Sequence, residues 1–214
     1  MNDASLPKPG PRSTYRHGDL RRALVEAGLA LAREGGPDAI ALREVTRRAG
    51  VVPNAAYRHF GSLRDLREAV RGAALAALAR AMEAELGTAP GDGDALARAR
   101  ARVRAVGLGY LRFAHDEPGL FRTAFAVDAA PVTRPDERAG PGGLDPFELL
   151  GSALDALVAA GGLPARRRRH AEYVAWSAVH GYAMLVIDGP LRALDREGAA
   201  AVAAHLLDMV ERGL

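Results

Sequence analysis

The sequence predicts an all-α protein of about nine helices, and three observations carry that prediction. Ala, Leu and Arg dominate the composition, all good helix formers, while β-branched runs are scarce. Apolar residues recur three and four positions apart, and no stretch shows the alternation of a strand. Gly and Pro clusters divide the chain into segments of helical length joined by short connections, as in a bundle. The composition, 49% hydrophobic and 26% charged over 214 residues, is that of a globular chain.

Residues 1–15 hold charges, Pro7 and Pro9, and read as a disordered arm rather than a signal peptide. A first helix covers about 16–34, with Leu20, Leu24, Ala27 and Leu31 on one stripe. Asp19 in its first turn suits the helix dipole. Gly35, Gly36 and Pro37 stop it. A short helix over about 42–49 turns Leu42 and Val45 inward and ends at Gly50. Val51 and Val52 form an apolar turn, and Pro53 opens a third short helix, reaching about residue 60, where its missing N–H costs little. Gly61 breaks that helix, and Ser62 is placed to cap a long fourth one over about 63–86.

A Gly/Pro loop at 88–94 precedes a fifth helix, about 95–115, and a short sixth, about 118–126. Pro, Gly and charge over 127–146 predict a mobile surface loop. A seventh helix spans about 147–160, an eighth about 164–187 and a last one about 195–212.

The totals exclude several classes. Without cysteine there is no disulfide framework, thiolate zinc site or cysteine nucleophile. No apolar run approaches the roughly 20 residues of a membrane span. None of the six histidines stands in a metal-ligand motif, and no nucleophile elbow, P-loop or dinucleotide fingerprint is present. Neither an enzyme nor a cofactor is therefore expected. The net charge is a modest +3, but residues 1–70 carry 12 basic and 8 acidic residues, whereas 71–214 carry 17 and 18. A basic module on a near-neutral body suits a polyanion, although an Arg-rich chain can reach such a balance by chance.

Residues 42–60 carry the sharpest signal. Two helices of about two turns meet at a tight Gly turn, with Ala49 small enough for close approach. Val45, Val51, Ala56 and Phe60 are placed to bury the elbow. This is the build of a helix-turn-helix, whose second helix is too short to stand without the first and fourth. The run Tyr57-Arg58-His59-Phe60-Gly61-Ser62, followed by Leu63-Arg64-Asp65-Leu66, resembles the DNA-binding domain of the TetR/AcrR family over residues 16 to about 70. The resemblance implies a three-helix helix-turn-helix domain over 16–62 and a helical ligand-binding and dimerisation domain over 63–214. The chain departs from the family pattern twice. Leu63 stands where the family places a lysine after the serine, a role Arg64 can take, and Ala41 stands where Ser or Thr opens the second helix.

The resemblance gives each residue type a role on double-stranded operator DNA. Tyr57 and His59 offer short, rigid donors for phosphates. Pro53, Asn54 and Ala55 stand at the exposed start of the recognition helix. Asn54 and Arg58 are the candidates for base edges, Asn for adenine and Arg for guanine. Arg43 and Arg47 suit the flanking backbone, and Arg12 and Arg16 a minor groove. The plainer reading of any single arginine is a solvated surface charge.

In the remainder, Glu117-Pro118-Gly119-Leu120-Phe121-Arg122 and Trp176-Ser177-Ala178-Val179-His180-Gly181-Tyr182 together resemble a TetR-type ligand domain with a Trp…His-Gly signature, over roughly 90–190. Tyr110, Phe113, Phe121, Phe125, Tyr173, Trp176 and His180 are the candidate lining of a small-molecule effector pocket. Each can equally be ordinary core. The apolar faces of the last helix (Val202, Leu206, Leu207, Met209, Val210) and of the eighth (Val174, Met184, Leu185, Ile187) are, by resemblance, a homodimer's four-helix bundle. The arginines at 166–169 oppose the dipole at a helix start and read as a solvated or interface patch. Together these readings imply a cytoplasmic regulator, by family default a repressor, with an activator of the same fold or a helical protein-interaction adaptor as the alternatives.

Overall fold

The first helix, α1 (His17–Gly35), lays Leu24, Leu31 and Ala32 into the core and stops where Gly36 takes a positive φ of 70°. A 3-10 turn at Pro37–Ala39 leads into α2 (Leu42–Arg48). The cap position, Ala41, offers no side-chain acceptor to α2. Inside the helix, the buried Thr46 hydroxyl donates back to the Leu42 carbonyl at 2.9 Å, so its polar group is satisfied locally. Gly50, at φ 69°, makes the turn, and Pro53 opens α3 (Pro53–Ala56). These coordinates form a computed structural model; it describes residues 17–126 and 135–214, with side chains over 20–126 and 137–214.

Beyond α3 the chain tightens. The N–H groups of His59 and Phe60 both donate to the Ala56 carbonyl, at 2.9 and 3.0 Å. Phe60 is buried, and the Arg21 guanidinium of α1 sits over its ring at 5.1 Å. Ser62 then caps α4 (Leu63–Thr88) by accepting from the Asp65 N–H. Leu66, Val70, Ala74, Leu78 and Met82 form the buried face of α4. α5 (Ala95–Asp116) follows, capped by Asp94, and α6 (Pro118–Ala124) turns back after the single residue Glu117. α7 (Pro146–Ala159) starts in a full capping box, Asp145 accepting from Phe147 and Glu148 while the Glu148 side chain accepts from Asp145 N–H. α8 (Ala165–Arg168), α9 (Ala171–Ile187), a 3-10 turn at Pro190–Ala193 and α10 (Arg196–Gly213) complete the chain.

Two close crossings set the frame around α4. At Gly28 an added Cβ would lie 2.4 Å from Val70 Cγ2, so α1 can approach α4 only because position 28 is bare. At Gly109 it would lie 2.6 Å from Met82 Cα, and α5 nests on α4 in the same way. α4 thereby spans both halves of the fold, with its first half on α1 and its second on α5 and α7.

The helical reading of the sequence holds, and the differences have physical causes. Among the described residues there are ten α-helices rather than about nine, and no strand. The tenth arises because the segment 164–187 is not one helix. Four successive arginines cannot stack in a first turn without repulsion, and His170 adopts the left-handed conformation at φ 66°, which breaks α8 from α9. Arg168 spans that break by pairing with the exposed Asp155 and the largely buried Glu172.

The loop expected over 127–146 is also different where it can be seen. Its part at 127–134 lies outside the described residues. A 3-10 turn at Pro135–Arg138 lies against α4, Glu137 accepts from Arg21, and Gly142 N–H donates to Glu83 of α4. Asp145 is buried. Composition reported the Pro and Gly, but not the partners on α1 and α4 that hold this segment down. The arm residues Arg12 and Arg16 lie outside the described residues as well.

Candidate nucleic-acid interface and internal cavity

α3 buries Ala56, with Phe60 one turn on, and turns its opposite side outward. Asn54, Tyr57 and Arg58 are three and four residues apart, hence on one face, and all three are exposed. Tyr57, the residue that ends α3, is 54% exposed, a large aromatic left in water while Ala56 beside it is fully packed. Pro53 is exposed beside them, while Ala55 and His59 are half-buried. Val52, expected in an apolar turn, is 69% exposed, the most exposed large hydrophobic residue described. The turn needs an extended residue there to start α3, and extended backbone points its side chain away from the elbow.

The arginines divide. Arg43, Arg58 and Arg64 are exposed and show no ion pair among the described residues. Arg47 instead makes a two-pronged contact with Glu44 one turn earlier, at 2.5 and 2.9 Å. Arg48, which the motif did not single out, pairs with Glu34 at 2.6 Å and ties α2 to α1. These hydrogen bonds hold both glutamate carboxyls below the ordinary carboxylate range. Arg67 of α4 anchors the head by donating to the Ile40 carbonyl, and Arg71 ties α4 to α6 by donating to that of Ala124.

The second half of the molecule forms a partly open cavity of about 300 Å³ among α4, α5, α7, α9 and α10. Its wall is mostly carbon, with Leu75 and Met82 from α4, Val103 from α5, Leu150 from α7 and Val210 from α10. Of the aromatic candidates, Tyr110, Phe125 and Trp176 line it. Phe113 and Phe121 are buried core residues outside its wall, and Tyr173 is 55% exposed, packed on Phe147. His180 stands behind the wall, against Phe121, Phe125 and Trp176.

A hydrogen-bonded chain fixes that wall. Trp176 Nε1 donates to Tyr110 Oη at 3.0 Å, and Tyr110 Oη lies 2.7 Å from His180 Nδ1. Indole nitrogen can only donate, so Tyr110 Oη accepts from Trp176 and keeps its own proton available for Nδ1. Burial favours the neutral imidazole, lowering the His180 pKa, and pushes the Tyr110 hydroxyl up.

Charged residues stand at the cavity edge, and composition gave no hint of them. Arg104 of α5 binds Asp208 and Glu211 of α10, the latter at 3.2 Å. Arg138 Nε lies 2.9 Å from Asp145 Oδ2, an ion-pair distance without hydrogen-bond alignment. A second hollow, about 630 Å³, lies between α5, α9 and α10, away from the aromatic wall, and carries Arg112, His115, Asp116 and Arg196. No cluster among the described residues could hold a metal ion.

Cavity and head are joined through packed elements. Phe125, in the cavity wall, ends α6, and the start of α6 presses on the last turn of α1, where Gly119 meets the carbonyls of Ala32 and Arg33.

Comparison with known proteins agrees with this division. Residues 24–70 match the profile described as bacterial regulatory proteins, tetR family. Residues 103–210 match the tetracyclin repressor-like C-terminal domain. A protein of unknown function from Rhodococcus sp. RHA1 has 26% identity and a TM-score of 0.73, over 95% of this chain and 99% of its own. The regulator FadR from Bacillus subtilis, solved with stearoyl-CoA, aligns at 13% identity and TM-score 0.63, covering 90% and 98%. A TetR variant from Acinetobacter baumannii AYE, solved with minocycline, aligns at 20% and 0.57, covering 89% and 93%. The last two likenesses are of fold alone. No curated protein matches significantly in sequence.

Proposed function

The chain belongs to the TetR family of bacterial regulatory proteins, and from that premise we propose that it is a homodimeric repressor that leaves its operator when a small molecule fills the cavity beneath α4. The observation that carries the DNA-binding reading is the outward face of α3. Asn54 of the four-residue α3, and Tyr57 and Arg58 in the turn that closes it, are offered to solvent, and α3 packs on α2, which in turn packs on α1. Asn54 and Arg58 read base edges, Tyr57 and His59 grip phosphates with Arg43 and Arg64, and Pro53 and Ala55 allow close approach. Arg47 must first exchange Glu44 for a phosphate. Val52 joins this set, because an exposed isopropyl group next to the reading face suits a thymine methyl.

We place the end of the reading head at Ser62, within a division of 1–15, 16–62 and 63–214. The motif Trp176…His180-Gly181 supports the Trp…His-Gly subgroup for the last part. α9 exposes Val174 and Leu185, and α10 exposes Val202 and Met209. A second copy covering them as a four-helix bundle gives two heads about 34 Å apart, one helical turn of DNA. Ligand against Phe125 shifts α6, and α6 bears on α1; the size of the effect is the ligand's preference for one of the two arrangements. No described helix is long and apolar enough to cross a membrane, and the place of action is the cytoplasm.

The test is selection of the full chain on random duplex DNA, then anisotropy titration of the enriched site against salt. Log affinity should fall by about 0.9 per phosphate neutralised for each log unit of salt. Replacing the site's thymines singly by deoxyuridine should cost roughly 0.8 kcal/mol, about fourfold, at the Val52 contact, and Val52→Ala should erase that difference. Failure to enrich any duplex, or binding indifferent to salt, would sink the reading.

A further inference from the structure

We propose that the cavity takes a compact, uncharged, predominantly apolar ligand and excludes anions such as carboxylates and phosphates. This rests on reading the cavity as the effector site, and adds the chemistry that the site accepts.

The charges in the wall are compensated before any ligand arrives. The wall carries two cations, Arg104 and Arg138, and two carboxylates, Asp145 and Glu211. Arg138 faces Asp145, and Arg104 faces Glu211 with Asp208 beyond it. An anion entering here meets no uncompensated charge: Arg138 Nε lacks a hydrogen-bond acceptor but stands 2.9 Å from Asp145 Oδ2, and Arg104 is held by two carboxylates. To take Arg138 it must push aside the nearly buried Asp145 carboxylate, which is then left in poor solvent. At Asp145 the displacement is harder still, because its other oxygen caps α7 at Phe147 and Glu148. A cation meets the mirror-image obstacle.

The neutral polar groups are likewise engaged. Tyr110 Oη accepts from Trp176 Nε1 and shares a hydrogen bond with His180 Nδ1. What remains facing the space is carbon from Leu75, Met82, Val103, Leu150 and Val210, and the faces of Phe125 and Trp176. The volume of about 300 Å³ is at the small end for ligand pockets. Apolar burial, with no polar exchange, is the binding energy such a site offers.

Two probes that share one ring skeleton test this. N-phenyl-1-naphthylamine is neutral, and 8-anilino-1-naphthalenesulfonate is the same framework with a sulfonate. Trp176 is the only tryptophan and lies in the wall, so its quenching by energy transfer reports occupancy of this cavity. The full-length protein should bind the neutral probe at least tenfold more tightly than the sulfonate. Val210→Phe, which fills the space from α10, should weaken the neutral probe at least tenfold. Asp145→Asn keeps a capping oxygen but leaves Arg138 uncompensated, and should bring the sulfonate to within about threefold of the neutral probe. Equal binding of the two probes by the wild-type protein overturns the inference and leaves the effector site standing. So does a sulfonate that stays weak in Asp145→Asn, or a neutral probe indifferent to Val210→Phe. If neither probe quenches Trp176, the cavity is no ligand site and both readings fall.

Discussion

Gly119→Ala is the most informative single change outside the two sites. The residue is buried in the first turn of α6, against the end of α1. A Cβ built there lies 2.2 Å from the Ala32 carbonyl oxygen and 2.8 Å from that of Arg33. Carbon and oxygen in contact sit roughly 3.3 Å apart, so the two backbones must separate by about 1 Å. Neither can yield cheaply, since the Ala32 oxygen already accepts from Gly36 N–H at 2.8 Å and Glu117 holds Arg33 at 3.2 Å. Overpacking against backbone costs about 3 kcal/mol, the upper part of its usual range, and alanine returns about 1 kcal/mol through helix propensity. The net loss of about 2 kcal/mol lowers the melting temperature of a chain this size by roughly 4–8 °C. Thermal unfolding by far-ultraviolet circular dichroism reads it. Gly87→Ala is the matched control, because it lies exposed on α4 with nothing within 4 Å of the added carbon, and should be neutral or stabilising. A Gly119→Ala protein that melts with the wild type would refute the claim that α6 is seated on α1 by a bare backbone contact.

Two other outcomes follow from the site. Asp145→Ala removes the acceptor for two α7 N–H groups and the partner of Arg138; it should cost about 1–2 kcal/mol from the cap alone. Asp145→Asn should recover the cap, and identical urea midpoints for the two variants would dismiss it. Burial lowers the His180 pKa below its ordinary 6.5, so the unfolded chain takes up that proton first. Its stabilising share is complete above the unfolded value and is lost as pH falls through the folded one. His180→Gln should flatten the fall in stability as pH drops through the ordinary histidine value of 6.5, seen in denaturant midpoints; an unchanged slope assigns the fall elsewhere.

The head was legible because its determinants are local. Gly50, Pro53 and Ser62 act within one turn of themselves, and the structure puts a positive φ, a helix start and a cap where those residue types demand. Val52 is legible as part of an apolar turn but not as an exposed side chain, which an extended backbone at a helix start turns outward. Arg47 escaped in part, since Glu44 was visible at helical spacing but was not weighed as its partner. The break between α8 and α9 left a signal too, in four adjacent arginines that a single helix cannot carry comfortably at its start.

The cavity is another matter. Tyr110 and Trp176 stand 66 positions apart, and their hydrogen bond exists only because α5 and α9 pack side by side. Arg138 and Asp145 sat in a stretch whose Pro and Gly spoke for a loop, and it is α1 and α4 that bind it down. By itself the sequence determined that the chain is helical, where most helices start and that a helix-turn-helix lies near 42–60, since capping, φ preference and a 3.6-residue period act between near neighbours. The tertiary structure alone decided which aromatic residues enclose space and which fill the core, and that the edge charges cancel. Those outcomes depend on how closely helices cross at bare positions such as Gly28 and Gly109, and no local period encodes a crossing.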